Sequence, residues 1–245
     1  MKRPVLSCAS RLAAAAFAAL AFSSCATGGL SDMVFPEPDK AIALTFDDGP
    51  FGHTDRLLAI LAEHDVRATF FVIGRHVQQR PEQARRIALA GHELGNHSWS
   101  HSSLGSPSPG LAAIRQELGG ASDAIAGIAG EAPAFFRAPN LNYGPDLAHV
   151  AREMGMAIIG ASAIGRDWES IGPAQIAANV IGAARDGGII LLHEQFDGAD
   201  YRTERALPEI IRSLRMQGFA IMPLGELVES RGAALQPGAL YNSID

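Results

Sequence analysis

A chain of 245 residues with a formal net charge of −6 holds one sizeable domain with short appendages, and its acidity argues against a nucleic-acid partner. Apolar residues make up 47% of it, enough for a real core, and the charge balance suits a neutral or polyol substrate.

The N-terminus reads as an export signal, residues 1–25. Lys2, Arg3 and Arg11 give a basic head, an Ala-rich apolar run follows over 12–22, and small residues Ser23 and Ser24 precede Cys25. The apolar run is too short for a membrane span, which needs roughly 20 apolar residues. Phe22-Ser23-Ser24-Cys25 resembles a bacterial lipoprotein box, with Phe22 where Leu is usual. On that basis Cys25 is lipidated and anchors an envelope lipoprotein in the periplasm or outer membrane. Ordinary cleavage after Ala26 and secretion is the alternative. The other cysteine, Cys8, also lies in the signal, so the exported domain has neither a disulfide nor a Cys metal site. Residues 26–38 carry Gly, Ser and Pro with little periodicity and read as a linker.

From residue 39 to 236 short apolar runs alternate with helical patterns. Strands are expected at 41–46, 68–73, 93–96, 157–161, 188–192 and 219–222, and helices at 54–63, 81–90, 111–128, 145–153, 173–185 and 202–217. Pro81, Pro145 and Pro173 fall where a first helical turn tolerates proline. Residues 237–245 read as an unstructured tail. The alternation implies parallel strands with helical crossovers, a single α/β domain. With no Gly-x-Gly-x-x-Gly after the first strand, a (β/α) barrel fits better than a dinucleotide fold, and its chemistry belongs at the C-terminal ends of the strands.

Three clusters fall there. Asp47 and Asp48 follow the first strand and precede Gly49-Pro50. Alone this is a turn, but the turn also lets two carboxylates take different tasks, one toward a metal and one toward a proton. His97 and His101 stand at i,i+4, a spacing that puts both imidazoles on one face of a helical turn. With Asp48 as a third ligand from another strand end, two His and one carboxylate leave room for water and substrate, as in a catalytic zinc-type site. His193 ends the apolar run 189–192, and Asp167 offers a carboxylate to orient it as a general acid. Trp168 is a core residue by default, or a flat wall for a sugar or acyl group. Arg137 emerges from an apolar run as a cation for an ordinary ion pair or for Asp47. His53, His64, His76, His92 and His149 receive no role from their spacing.

Taken together, Thr45-Phe46-Asp47-Asp48-Gly49-Pro50, His97-Ser98-Trp99-Ser100-His101, Arg137, Asp167-Trp168 and Leu191-Leu192-His193 resemble the motifs of the polysaccharide deacetylase family, the NodB-homology group or carbohydrate esterase family four. The resemblance spans about residues 40–227. It implies a distorted (β/α) barrel of about seven units. It implies Asp47 as general base, Asp48, His97 and His101 as metal ligands, and Arg137 positioning the base. It also implies Asp167 tethering His193 as general acid, with Leu191 lining the acetyl pocket, Trp168 beside it and Tyr143 on the groove wall. One divalent ion is implied, zinc first, with cobalt, nickel or manganese able to occupy the same donors. Three departures stand out. Arg137-Ala138-Pro139-Asn140-Leu141-Asn142-Tyr143-Gly144 displaces the family's Tyr-Gly, Ile164 stands where an Asp is common, and Glu194 follows His193 where an Asp is common. The implied partner is an acetylated glycan, with membrane contact only through the lipid anchor. The implied reaction is N-deacetylation of an N-acetylglucosamine poly- or oligosaccharide. O-acetyl esterase action on xylan with the same residues, or a catalytically silent carbohydrate-binding envelope lipoprotein, are the alternatives.

Overall fold

The computed structural model describes residues 35–194 and 200–245. The expected signal, Cys25 and all but the end of the linker lie outside the described residues. In chain order the elements are β1 Lys40–Asp47, α1 Thr54–Glu63, β2 Thr69–Val72, α2 Gly74–Gln79, α3 Pro81–Leu89, β3 Glu93–Asn96, α4 Leu111–Ala129 and β4 Phe135–Phe136. After a 3-10 turn at Pro139–Leu141 come α5 Pro145–Glu153, β5 Ala157–Ile159, β6 Ala163–Ile164, α6 Pro173–Ala183, β7 Gly188–His193, α7 Arg202–Met216, β8 Phe219–Met222, α8 Leu224–Ser230 and β9 Leu240–Tyr241.

The sheet is parallel and curls into a distorted barrel with helices outside, in the order β6-β7-β1-β2-β3-β4-β5-β9, with β8 also on β1. Side-chain alternation divides its two faces. Ile42, Leu44 and Phe46 of β1 pack outward with Leu57 and Leu61 of α1 and Leu207, Ile210 and Ile211 of α7. Ala43 packs with Phe71, Phe135, Ile159 and Ile189 in a second cluster, which also takes Leu224 and Leu227 from α8. Burial of this kind stabilises by roughly 25 cal/mol per Å² of apolar surface, so the outer face of β1 secures the strand that carries Asp47.

Register then places the chemistry. β1 is in parallel register with β7 so that Asp47 stands beside His193, and with β2 so that Asp47 stands beside Phe71. Asn96 on β3 pairs with Phe136 on β4, which brings His97 next to Arg137.

The expected tail is the main correction. Residues 240–241 form β9 on β5, Ser243 bridges antiparallel to Gly188, and the Ile244 amide donates to the Gly187 carbonyl at 2.8 Å. Ile244 is 2% exposed. β5 would otherwise end the sheet with unpaired backbone groups, so the chain end has a partner that no local pattern announces. The expected strand 157–161 is shorter than expected, because Gly160 and Ala161 carry the chain across to β6.

Candidate active site

The C-terminal ends of β1, β3 and β7 open into one cavity of about 530 Å³. Asp47, Asp48, His97, His101, Asp167, Trp168, Leu191 and His193 all line it.

Asp48 lies one residue past β1 with φ of 80°, which turns its carboxylate toward the histidines. Its Oδ1 stands 3.4 Å from His97 Nε2 and 3.2 Å from His101 Nε2, yet makes no hydrogen bond although buried. These three residues can present ligand atoms all within 4.8 Å of one another, and they form the one such cluster among the described residues. His97 Nδ1 donates to the Arg137 carbonyl at 2.8 Å, which leaves Nε2 facing Asp48.

The expected helical turn at 97–101 is absent. Ser98 and His101 adopt φ of 65° and 64°, and the segment is a bend. The Asn96 side-chain oxygen accepts from the Ser98 amide at 2.8 Å, and Ser98 Oγ accepts from the His101 amide at 3.0 Å. Side-chain acceptors thus replace the helical ladder and still bring both imidazoles together.

The charges ask for a cation. Burial alone would raise the Asp48 carboxyl, but His101 and His97 beside it hold it well below the usual carboxylate range. Burial would lower His97, but Asp47 and Asp48 push it above its ordinary value. An orphaned buried carboxylate oxygen facing two imidazole nitrogens fits a divalent ion.

Asp47 is buried and bound on one side only. Arg137 Nη1 donates to Asp47 Oδ1 at 2.7 Å, while Oδ2 lies 3.8 Å from His97 Nε2. Arg137 is itself fully buried. Nη1 also reaches Thr45 Oγ1 at 2.7 Å, Nε and Nη2 donate to the Ile159 and Gly160 carbonyls, and the guanidinium lies 4.2 Å from the Phe71 ring centre. It is therefore both the partner of Asp47 and a brace between β1 and β5.

Across the cavity, Asp167 holds His193 twice. Its Oδ1 is 2.7 Å from His193 Nδ1, and its Oδ2 accepts from the His193 amide at 2.8 Å. Thr203 Oγ1 also donates to Oδ2 at 2.6 Å. Burial disfavours the imidazolium, but Asp167 first, then Asp47 and Asp48, outweigh it and push the His193 pKa up to about 9. Trp168 is 57% exposed and stands edge-on to His193, ring centres 5.3 Å apart, so it is a rim residue and not core.

Tyr143 is not where the resemblance implied. It is absent from the cavity lining, and its hydroxyl donates to the Ile159 carbonyl at 3.3 Å. Asn140 and Leu141, both with positive φ, supply that wall because three residues of displacement carry Tyr143 past the 3-10 turn. Sequence patterns gave no sign of Thr203 and marked Glu194 only as a departure from the family's Asp; Glu194 accepts from the Phe51 amide at 3.0 Å and from Thr54 Oγ1. Those contacts join residues about 140 positions apart, and only the β1–β7 pairing brings them together.

Residues 36–159 match the family model described as polysaccharide deacetylase. The chain is similar to the chitooligosaccharide deacetylase of a Bradyrhizobium species, 36% identical over 200 residues that cover 77% of this chain and 90% of that protein. It is 34% identical to a peptidoglycan-N-acetylglucosamine deacetylase of Listeria monocytogenes over 83% of this chain, and spans 41% of that longer protein. Among solved structures, the family 4 acetyl xylan esterase from Clostridium thermocellum in complex with a cobalt ion superposes with a TM-score of 0.78. That pair shares 37% identity and covers 84% of this chain and 99% of the esterase.

Proposed function

The chain belongs to the polysaccharide deacetylase family and is a hydrolase, a carbohydrate deacetylase, and from that premise we propose that it removes N-acetyl groups from an N-acetylglucosamine-containing poly- or oligosaccharide. Asp48, His97 and His101 would hold one divalent ion, zinc before cobalt, nickel or manganese. The carrying observation is the unbonded Asp48 Oδ1 facing His97 and His101 in the same cavity as Asp47 and His193.

When bound, the ion supplies Lewis acidity to the acetyl oxygen and to water. Asp47, with Oδ1 fixed by Arg137, has Oδ2 left to receive the proton of the attacking water. His193, with Nδ1 held by Asp167, has Nε2 left to protonate the departing nitrogen. An amine anion is a very poor leaving group, so an amide needs this proton. Thr203 and the His193 amide fix Asp167, which keeps the imidazole turned toward the cavity. Leu191 and Trp168 supply an apolar wall for the acetyl methyl.

The Asn140–Leu141 wall, together with the likeness to an acetyl xylan esterase structure, favours a second substrate for the same residues, an O-acetyl ester of xylan. Acetate release separates the two. The chelated protein is given N-acetylglucosamine oligomers or acetylated xylan, then zinc, cobalt or nickel. Metal-dependent release from the amino sugar supports N-deacetylation, release from xylan alone supports the ester, and release from neither rejects both. Export and lipidation at Cys25 complete the proposal. Labelled palmitate should enter the protein and fail to enter Cys25→Ala.

A further inference from the structure

Two of the three ligand-bearing residues, Asp48 and His101, have φ of 80° and 64°, and Ser98 between the histidines has 65°. Left-handed backbone at a non-glycine residue persists only where its surroundings over-determine it. Much of that constraint comes from four consecutive residues between β2 and the first turn of α2. The Ile73 amide donates to the Gly49 carbonyl at 3.0 Å, the Gly74 amide to Ser98 at 2.9 Å and the Arg75 amide to Trp99 at 3.1 Å. The fourth donor is a side chain, with His76 Nδ1 lying 2.9 Å from the Asp48 carbonyl oxygen.

A carbonyl only accepts, so His76 carries its proton on Nδ1. Phe51 packs against the ring with centroids 5.1 Å apart. The turn cannot slide away either. A Cβ on Gly74 would stand 2.7 Å from both Ala121 Cα and Trp99 Cε3, so α2 is pressed against α4 and the histidine loop.

One turn of chain therefore grips both halves of the ligand set, and three of its four donors are main-chain amides that side-chain exchange does not remove. We propose that His76 is a positioning residue of the metal site. Its Nδ1–H, bonded to the Asp48 carbonyl, holds the left-handed Asp48 backbone and so sets where Oδ1 stands relative to His97 and His101. This rests on the metal-site reading given above.

The test is zinc affinity of the purified protein, by competition with a chromogenic chelator, alongside the melting temperature of each metal-free variant. In His76→Asn the amide nitrogen can occupy the place of Nδ1, whereas His76→Gln carries its amide one bond farther out and His76→Leu has no donor. The expected result is that Gln and Leu weaken zinc binding roughly 10- to 100-fold while Asn keeps most of it. If Leu fails to fold, the Asn–Gln pair decides. Equal affinity in Asn and Gln, whether both wild-type-like or both weak, overturns the role of the bond. Absence of zinc binding by the wild type overturns the metal site itself, and the positioning role with it.

Discussion

Arg137 and Asp47 meet inside the barrel, where Arg137 Nη1 donates to Asp47 Oδ1 at 2.7 Å with the guanidinium fully buried. Removing one partner of such a pair costs far more than the pair contributes, because the other charge is left desolvated and alone. Arg137→Met should lower stability by about 3–5 kcal/mol. For a chain of this size that is a fall on the order of 10 °C in melting temperature. Arg137→Lys keeps the charge but cannot reproduce donation to Thr45, Asp47, Ile159 and Gly160 together, so it should lose activity as well. Calorimetry and acetate release read the two effects. A Lys variant with wild-type activity would leave Arg137 as a structural brace only.

The His193–Asp167 pair has a pH signature. The folded pKa of His193, about 9, lies above its ordinary 6.5, so the stability it contributes is complete below about 6.5 and is lost as pH rises through about 9. Metal-free protein should therefore lose stability across that window. Asp167→Asn removes the largest of the raising influences and should bring the imidazole titration back toward or below its ordinary value. A bound divalent ion should also lower it, since positive charge opposes the imidazolium. Urea unfolding across pH reads the first and ring-nitrogen NMR titration the other two, and an unchanged midpoint in Asp167→Asn would assign the shift elsewhere.

Leaving groups make different demands on the same acid. His193→Ala should reduce amide hydrolysis by roughly 10²- to 10⁴-fold and acetyl-ester hydrolysis by much less. Equal loss on both substrates would mean that His193 serves something other than proton delivery.

Metal should bind the fold and not the unfolded chain, since Asp48, His97 and His101 converge only through β1 and β3. Free zinc at 100 times its dissociation constant should then raise stability by about 2.7 kcal/mol. Asp48→Ala should abolish this increment while leaving a folded protein, which differential scanning fluorimetry with and without chelator will show.

Long periodic helices and the strand ends announced themselves in the chain. α1, α4, α5 and α7 carry apolar residues at helical spacing, and Asp47-Asp48, His97…His101 and His193 each fall at the end of an expected strand. β4 and β6 did not, because two residues hold no period, and α2 buries little beyond Gly74 and Val77. Within the site, the side chains that line the cavity, Asp47, Asp48, His97, His101 and His193, could be named from their type. The residues packed behind them, Thr203, Glu194 and His76, make contacts across 28–143 positions that only the sheet order creates. Tyr143 shows the converse, a residue of the right type displaced three positions too far along the chain to face the cavity.

The chain end offers the sharpest separation of local appearance from tertiary role. β9 gives β5 its outer partner, through Ile158 and Ile159 against Leu240 and Tyr241. The carbonyls of Ile159 and Gly160, at the end of that strand, are the acceptors that hold Arg137. Loosening the end should therefore reach Asp47 through Arg137 and reduce activity as well as stability. Ile244→Ala should cost about 2 kcal/mol or more, since the side chain is almost wholly buried and its cavity has little to collapse into. Leu240→Ala is the control, because Leu240 is 44% exposed and its truncation should stay within about 0.5 kcal/mol. Urea unfolding of the two variants, paired with acetate release, decides it. If Ile244→Ala behaves like Leu240→Ala and retains full activity, residues 237–245 are the loose tail that their sequence suggests, and the brace on Arg137 comes from the rest of β5 alone.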